Sequence, residues 1–251
     1  MTNKNKKLVT NAPISTNATS FKTIFKKNLK EVLSDFLALC KWLIIATIVG
    51  LVVGSFSSIF AYIINFVTWL RGNHNWLLFF LPIGGITIVS LYSLCGLKQD
   101  PGTNLVISSI NKNSKIPLRM APLIFIATTI THLFGGSVGR AGATLQIGGS
   151  MGNSLGYIFK FDDSDKKVFT MCGMSAAFAA VFGTPMTATL FALEVGCIGS
   201  MYYSALVPCI FSSLIASSIS LKLGIKPESF AIAKIFDLNF PNILKVILIA
   251  L

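Results

Sequence analysis

The chain has 251 residues, of which 53% are hydrophobic and 12% charged, with 21 Lys and Arg against 9 Asp and Glu and a formal net charge of +12. Its mean hydropathy is +0.72, whereas a soluble domain carries roughly 25% charged residues, so a water-soluble globule is hard to sustain. The positive balance does not indicate nucleic acid, because many basic residues precede the first apolar run and are not interleaved with stacking aromatics on a polar domain.

Residues 1–20 are rich in Asn, Thr, Ser and Lys and lack apolar periodicity. They predict a disordered cytoplasmic tail rather than a secretory leader with an apolar core. Over residues 21–38, Phe21, Ile24, Phe25, Leu29, Val32, Leu33 and Phe36 share one helical face while Lys22, Lys26, Lys27 and Lys30 mostly face elsewhere. That pattern predicts an amphipathic helix lying along the membrane interface. Lys4, Lys6, Lys7, Lys22, Lys26, Lys27, Lys30 and Lys41 together place the N-terminus in the cytoplasm under the positive-inside rule.

Apolar runs follow at Trp42–Leu70, Trp76–Leu97, Ile116–Phe134, Val168–Ile198, Tyr202–Leu221 and Ile243–Leu251. Several approach the roughly 20 residues that cross a bilayer, and others are short or broken. Three interruptions organise them. Asp100-Pro101-Gly102-Thr103-Asn104 predicts a helix start with Asn104 near its first turn. Gly135 to Gly149 is a glycine-rich, partly polar stretch inside apolar sequence. Phe182-Gly183-Thr184-Pro185-Met186 divides the run from Val168 to Ile198, because Pro185 removes a backbone donor and disfavours helix at Thr184. Broken helices of this kind are typical of transport proteins.

Between the breaks, Gly148, Gly152 and Gly156 recur four apart, as do Ala176 and Ala180; such faces permit close helix crossing. The five cysteines, Cys40, Cys95, Cys172, Cys197 and Cys209, form no CxxC pair and read as buried small hydrophobes, with neither a disulfide framework nor a metal site. His74 and His132 read as turn and packing residues. No cofactor motif and no catalytic cluster of His, Asp and Glu is visible, so an enzyme is not expected.

The glycine segment carries the functional argument. Irregular backbone at membrane depth is tolerated only where protein or a polar cavity satisfies it. A glycine turn that leads into a helix start presents unpaired N–H groups and the positive end of a dipole to an anion. Soluble phosphate-binding motifs do not fit, since Arg140-Ala141 cannot supply the Lys and hydroxyl of a P-loop and no strand-like run precedes it.

Gly139-Arg140-Ala141-Gly142-Ala143 followed by Leu145-Gln146-Ile147-Gly148-Gly149 resembles the GREGP and QxGG signature of the CLC chloride channels and transporters. Gly102-Thr103-Asn104-Leu105-Val106 occupies the place of that family's GSGIP segment. Ala176 to Pro185 resembles its alanine-rich run ending in FNAP, and Leu190-Phe191-Ala192-Leu193-Glu194 the helix that follows. The resemblance implies an all-α, multi-pass integral membrane protein of the cell membrane with inverted-repeat architecture and broken helices. It divides the chain into a first repeat over 39–200 and the start of a second, incomplete repeat over 201–251, so that the chain reads as truncated after the first repeat. It also implies a homodimer in a lipid bilayer that moves chloride or fluoride, with the anion at helix N-termini contacted by Asn104 and by the amides of Ala141, Gly142 and Ala143. Gly102, Gly139, Arg140, Gln146 and Pro185 are its structural motif positions.

Two departures matter. Asn104 stands where ordinary chloride members have serine, and with Pro117 to Pro122 and Thr131 to Ser137 it resembles the fluoride/proton antiporter branch. Ala141 occupies the position of the gating glutamate, whose carboxylate competes with the anion and takes up protons; a methyl group does neither. The internal proton-transfer glutamate of exchanging members falls on Val195, beside Glu194. A non-transporting or regulatory membrane subunit is the alternative reading.

Overall fold

The computed structural model describes residues 17–97, 102–112, 114–196, 201–225, 227 and 239–250, and the side chains of the first helix from Lys30 onward. The described residues form helices joined by turns, with no strand among them. Helix α1, Asn17–Asn73, has 57 residues. The expected tail over 1–20 and separate interfacial helix over 21–38 are therefore not divided from the first apolar run by the backbone: α1 begins at Asn17 and passes residue 38 unbroken. Residues 1–16 lie outside the described residues. The continuity has a local cause, since the sequence from Asn17 to Asn73 contains no proline and no glycine before Gly50. The change at residue 38 is instead one of packing. Residues 30–39 are exposed, whereas Ile45, Ala46, Val49, Val53, Phe60 and Ile64 enter the core.

Past Asn73, the His74 ring nitrogen Nδ1 meets the Leu70 carbonyl at 3.1 Å, and a 3₁₀ turn over Asn75–Phe80 leads into α2, Leu81–Leu94. Only Gly84 of α2 is buried, where an added Cβ would strike Phe134. Next come α3, Thr103–Lys112, α4, Met120–Leu133, and α5, Arg140–Ile158. His132 sits in the last turn of α4, its Nδ1 3.0 Å from the Thr128 carbonyl. Both histidines thus take the turn and packing places read from the sequence. Helix α6, Asp163–Phe182, ends on Gly183 at φ +72°, and Pro185 starts α7, Pro185–Glu194. The divided apolar run is as expected, with glycine supplying the left-handed cap and proline the first residue of the next helix. Helices α8, Leu206–Lys222, and α9, Phe240–Ala250, complete the described chain.

The core forms where α1, α5, α6 and α8 meet. Helices α5 and α6 run antiparallel with backbones in contact: a Cβ on Gly148 would strike Gly173, one on Gly152 the Phe169 carbonyl, and one on Gly156 would sit 3.2 Å from Lys166. The four-residue glycine spacing is therefore a packing face, as are Ala176 and Ala180, both fully buried. Helix α8 runs parallel to α6, joined by Ser212 donating to the Cys172 carbonyl at 3.2 Å and, eight residues on along both helices, by Ser220 donating to the Ala180 carbonyl at 2.5 Å. Small residues and hydroxyl bonds of this kind hold helices together where lipid removes the hydrophobic drive between them. Cys172 and Cys209 are buried free thiols that share a hydrogen bond, with sulfurs 3.8 Å apart. Cys40 and Cys95 depart from the expected burial, standing half-exposed at the bundle's margin, and Cys197 lies outside the described residues.

Two ends of the bundle are fixed by side chains. At one, Lys41 pairs with Asp165 at 3.7 Å and lies over the Phe161 ring at 4.6 Å, tying α1 to the α5–α6 turn. At the other, the Arg71 side chain stands against Gly135, whose φ is +78°. Large apolar side chains such as Ile86, Val89, Leu94 and Ile249 point outward, a surface suited to lipid rather than water. Among the described residues, Lys30–Asn73, Asn75–Leu94 and Tyr203–Lys222 are helical stretches long and apolar enough to cross a membrane.

Candidate functional site

The glycine segment resolves into a helix start. Gly136 donates to the Thr131 carbonyl at 2.8 Å and closes α4; the chain then extends to Gly139, at φ −71° and ψ 127°, and α5 begins at Arg140. The cap residue, Gly139, has no side chain to bond back to the helix, and helical geometry gives the N–H groups of Ala141, Gly142 and Ala143 no carbonyl four residues earlier within α5. Arg140 Nη1 donates to Asn65 Oδ1 of α1 at 3.3 Å, and Thr144 donates back to the Arg140 carbonyl at 2.8 Å. These bonds fix the start of α5 beside α1, six residues before Arg71.

Helix α3 begins next to it. Gly102 adopts φ +64°, a left-handed turn that favours glycine, and its carbonyl accepts from Leu105 N at 3.1 Å. Gln146 Nε2 donates to Thr103 Oγ1 at 3.2 Å. A Cβ on Gly142 would stand 3.4 Å from the same hydroxyl oxygen, and one on Gly149 would collide with Val106. Contacts rising together along both chains make α3 and α5 parallel, so their N-termini lie side by side. Each helix start carries roughly half a positive charge, so the two adjacent starts present partial charges of one sign.

Of the residues read from the sequence, Gly102, Gly139, Arg140, Gly142 and Gln146 lie in these two helix starts. Ala141 is exposed at the mouth of α5, Gly142 is half-buried and Ala143 packs into the core. Asn104 is exposed in the first turn of α3, and the side chain that α3 turns toward Gln146 is the neighbouring Thr103. The sequence reading missed Thr103. Placing Gly102-Thr103-Asn104-Leu105-Val106 on GSGIP without a gap sets Thr103, not Asn104, under the serine, and that was the available signal. Pro185 works elsewhere, breaking the α6–α7 run.

At the Lys41 end, α3 and α7 finish together, with Gly196 against Ile110. A cavity of about 280 Å³ opens there among Ile110 and Asn111 of α3, Lys167 and Met171 of α6, Leu193 of α7 and Tyr202. Glu194 is exposed and Val195 half-buried at this end. No group of three or more His, Cys, Asp or Glu suited to a metal occurs among the described residues.

The voltage gated chloride channel family model matches residues 89–251. A chloride/fluoride channel protein of Pseudomonas syringae pv. tomato is 38% identical over 210 residues, covering 83% of this chain and 46% of its own length. An uncharacterized protein of Methanocaldococcus jannaschii is 25% identical over 225 residues, covering 88% of this chain and 54% of its own. The crystal structure of a CLC-type fluoride/proton antiporter superposes with a TM-score of 0.76 at 35% identity, over 85% of this chain and 54% of that one. A slow cyanobacterial Cl⁻/H⁺ antiporter shares the fold, with a TM-score of 0.63 at 19% identity over 82% and 52%. The chain thus spans about half the length of each relative. The family model covers more than half of this chain, and its broken helices superpose on a solved member: the chain belongs to the voltage gated chloride channel family.

Proposed function

We propose that this chain carries the anion site of a halide transport pathway, with chloride or fluoride held at the paired starts of α3 and α5. The observation that carries the reading is the contact of Gly102 and Thr103 with Gly142 and Gln146, which sets two positive helix ends side by side inside a membrane bundle. The first-turn amides around Ala141, Gly142 and Ala143, with Asn104 beside them, are the donors; Ala141 holds the gate position without a titratable group. The fluoride/proton antiporter among the superposed structures supports fluoride, and the carboxamide of Asn104 offers two N–H donors to a small, strongly hydrated anion. The protein works as a homodimer in the bilayer, with the N-terminal end of α1 on the cytoplasmic side.

Ion-selective electrodes reading fluoride and chloride release from proteoliposomes test this. Release faster than from protein-free liposomes is expected. Asn104→Ser should change the fluoride-to-chloride ratio more than Asn111→Ser, which lies at the far end of α3. Release equal to that of empty liposomes would favour a non-transporting membrane subunit instead.

A further inference from the structure

The bond that joins α5 to α3 has a direction. Gln146 Nε2 donates to Thr103 Oγ1 at 3.2 Å, and a hydroxyl has one proton and two lone pairs to offer. Other helical threonines spend that proton on the carbonyl four residues back: Thr144 on Arg140 at 2.8 Å, Thr189 on Pro185 at 2.9 Å, Thr131 on Ala127 at 2.8 Å. Thr103 is the first residue of α3, and among the described residues its hydroxyl makes no such bond to a carbonyl. With one lone pair taken by the Gln146 amide, its proton is turned away from Gln146. Gly142 leaves the space beside the oxygen open, since a Cβ there would stand 3.4 Å away.

From this geometry we infer that Gln146 is a positioning residue: it holds the Thr103 hydroxyl as a donor aligned with the first-turn amides of α5, and thereby sets halide selectivity without touching the ion. The inference rests on the halide reading above. The physical requirement is sharpest for the smallest halide, whose concentrated charge depends most on donors held at fixed positions. A freely rotating hydroxyl gives up part of that advantage; a fixed one keeps it.

The test is halide-dependent thermal stabilisation of the purified chain, titrated with sodium fluoride or sodium chloride, alongside release from liposomes. Gln146→Met keeps the length and removes the amide. It should weaken fluoride about threefold to tenfold, the worth of one hydrogen bond, and chloride less. Gln146→Glu, whose carboxylate draws the hydroxyl proton to itself, should weaken both further. Thr103→Ser should keep selectivity and Thr103→Val should lose it. The double variant Thr103→Val with Gln146→Met should be no weaker than Thr103→Val alone, because both act through one group. Additive losses, or a lower halide-free Tm for Gln146→Met with both affinities unchanged, would give Gln146 a purely structural role and overturn the inference while leaving the halide site standing. An unsubstituted chain that neither gains stability from halide nor releases it would remove the halide reading, and this inference with it.

Discussion

Position 141 shows how much one side chain decides. Ala141 is exposed at an uncapped helix start, so a longer side chain there meets open space rather than core. A carboxylate in that place is attracted to the helix end and occupies the ground a halide would use. We expect Ala141→Glu to make flux pH-dependent: slow where the carboxylate is ionised, faster as pH falls through the carboxylate range and protonation removes the competing charge. The unsubstituted chain should show no such dependence and no stoichiometric proton movement. Ala143→Glu is the control. Ala143 is 6% exposed, so its carboxylate would enter the core and disrupt the protein rather than gate it. Flux measured at fixed halide gradient across a pH series checks this, and uphill proton transport by the Ala141 form would overturn it. At this scale the sequence could name the segment and, through the ungapped placement on GSGIP, Thr103, but not the partner that its side chain meets. One residue along an α-helix turns the side chain by about 100°, so Thr103 and Asn104 share a motif and look in different directions.

The elements were more legible, because their signals are periodic or rest on backbone chemistry. Pro185 and Gly183 set the α6–α7 break, and the four-residue spacing of Gly148, Gly152 and Gly156 gave the packing face. What periodicity did not reveal was the partner: Gly173 and the Phe169 carbonyl on α6 receive that face, and such a pairing needs the fold. Nor did the polarity change near residue 38 mark a break in α1, since polarity sets packing while proline and glycine set backbone continuity. Gly152→Val should therefore push apart two backbones that no rotamer can relieve, costing about 3 kcal/mol. Gly85→Ala, in the exposed face of α2 with nothing within 4 Å of the new Cβ, should instead stabilise by up to about 1 kcal/mol. Thermal unfolding in one detergent compares the two. Equal effects would mean that α5 and α6 are not in backbone contact.

At the scale of the whole molecule, composition alone indicated a membrane bundle, but the distribution of charge between its ends required the fold. Lys41 pairs with the start of α6; Lys115 and Lys166 lie over the Tyr157 ring at 5.3 and 4.3 Å; Lys160 and Lys167 flank the same α5–α6 turn. Among the described residues these five lysines gather at the Lys41 end, with Arg71, Arg140 and Lys222 toward the other. Topology follows the distribution of Lys and Arg, with Asp and Glu counting little, so the acidic residues of that turn do not cancel the bias. The Lys41 end should face the cytoplasm, where anionic lipid attracts it further, and the Arg71 end should face outward. That arrangement turns the cavity beside Lys167 to the inside and sets the uncapped start of α5 nearer the outside, so halide crossing the membrane would meet the two on opposite sides of the helix-start contact. Single cysteines at Ser164 and at Asn73, both exposed, test the orientation in a background where the native cysteines are replaced by serine or alanine. An impermeant maleimide added to intact cells should label Asn73→Cys, and should label Ser164→Cys only after the membrane is opened. The reverse pattern would invert the protein and place the Lys167 cavity on the outer face.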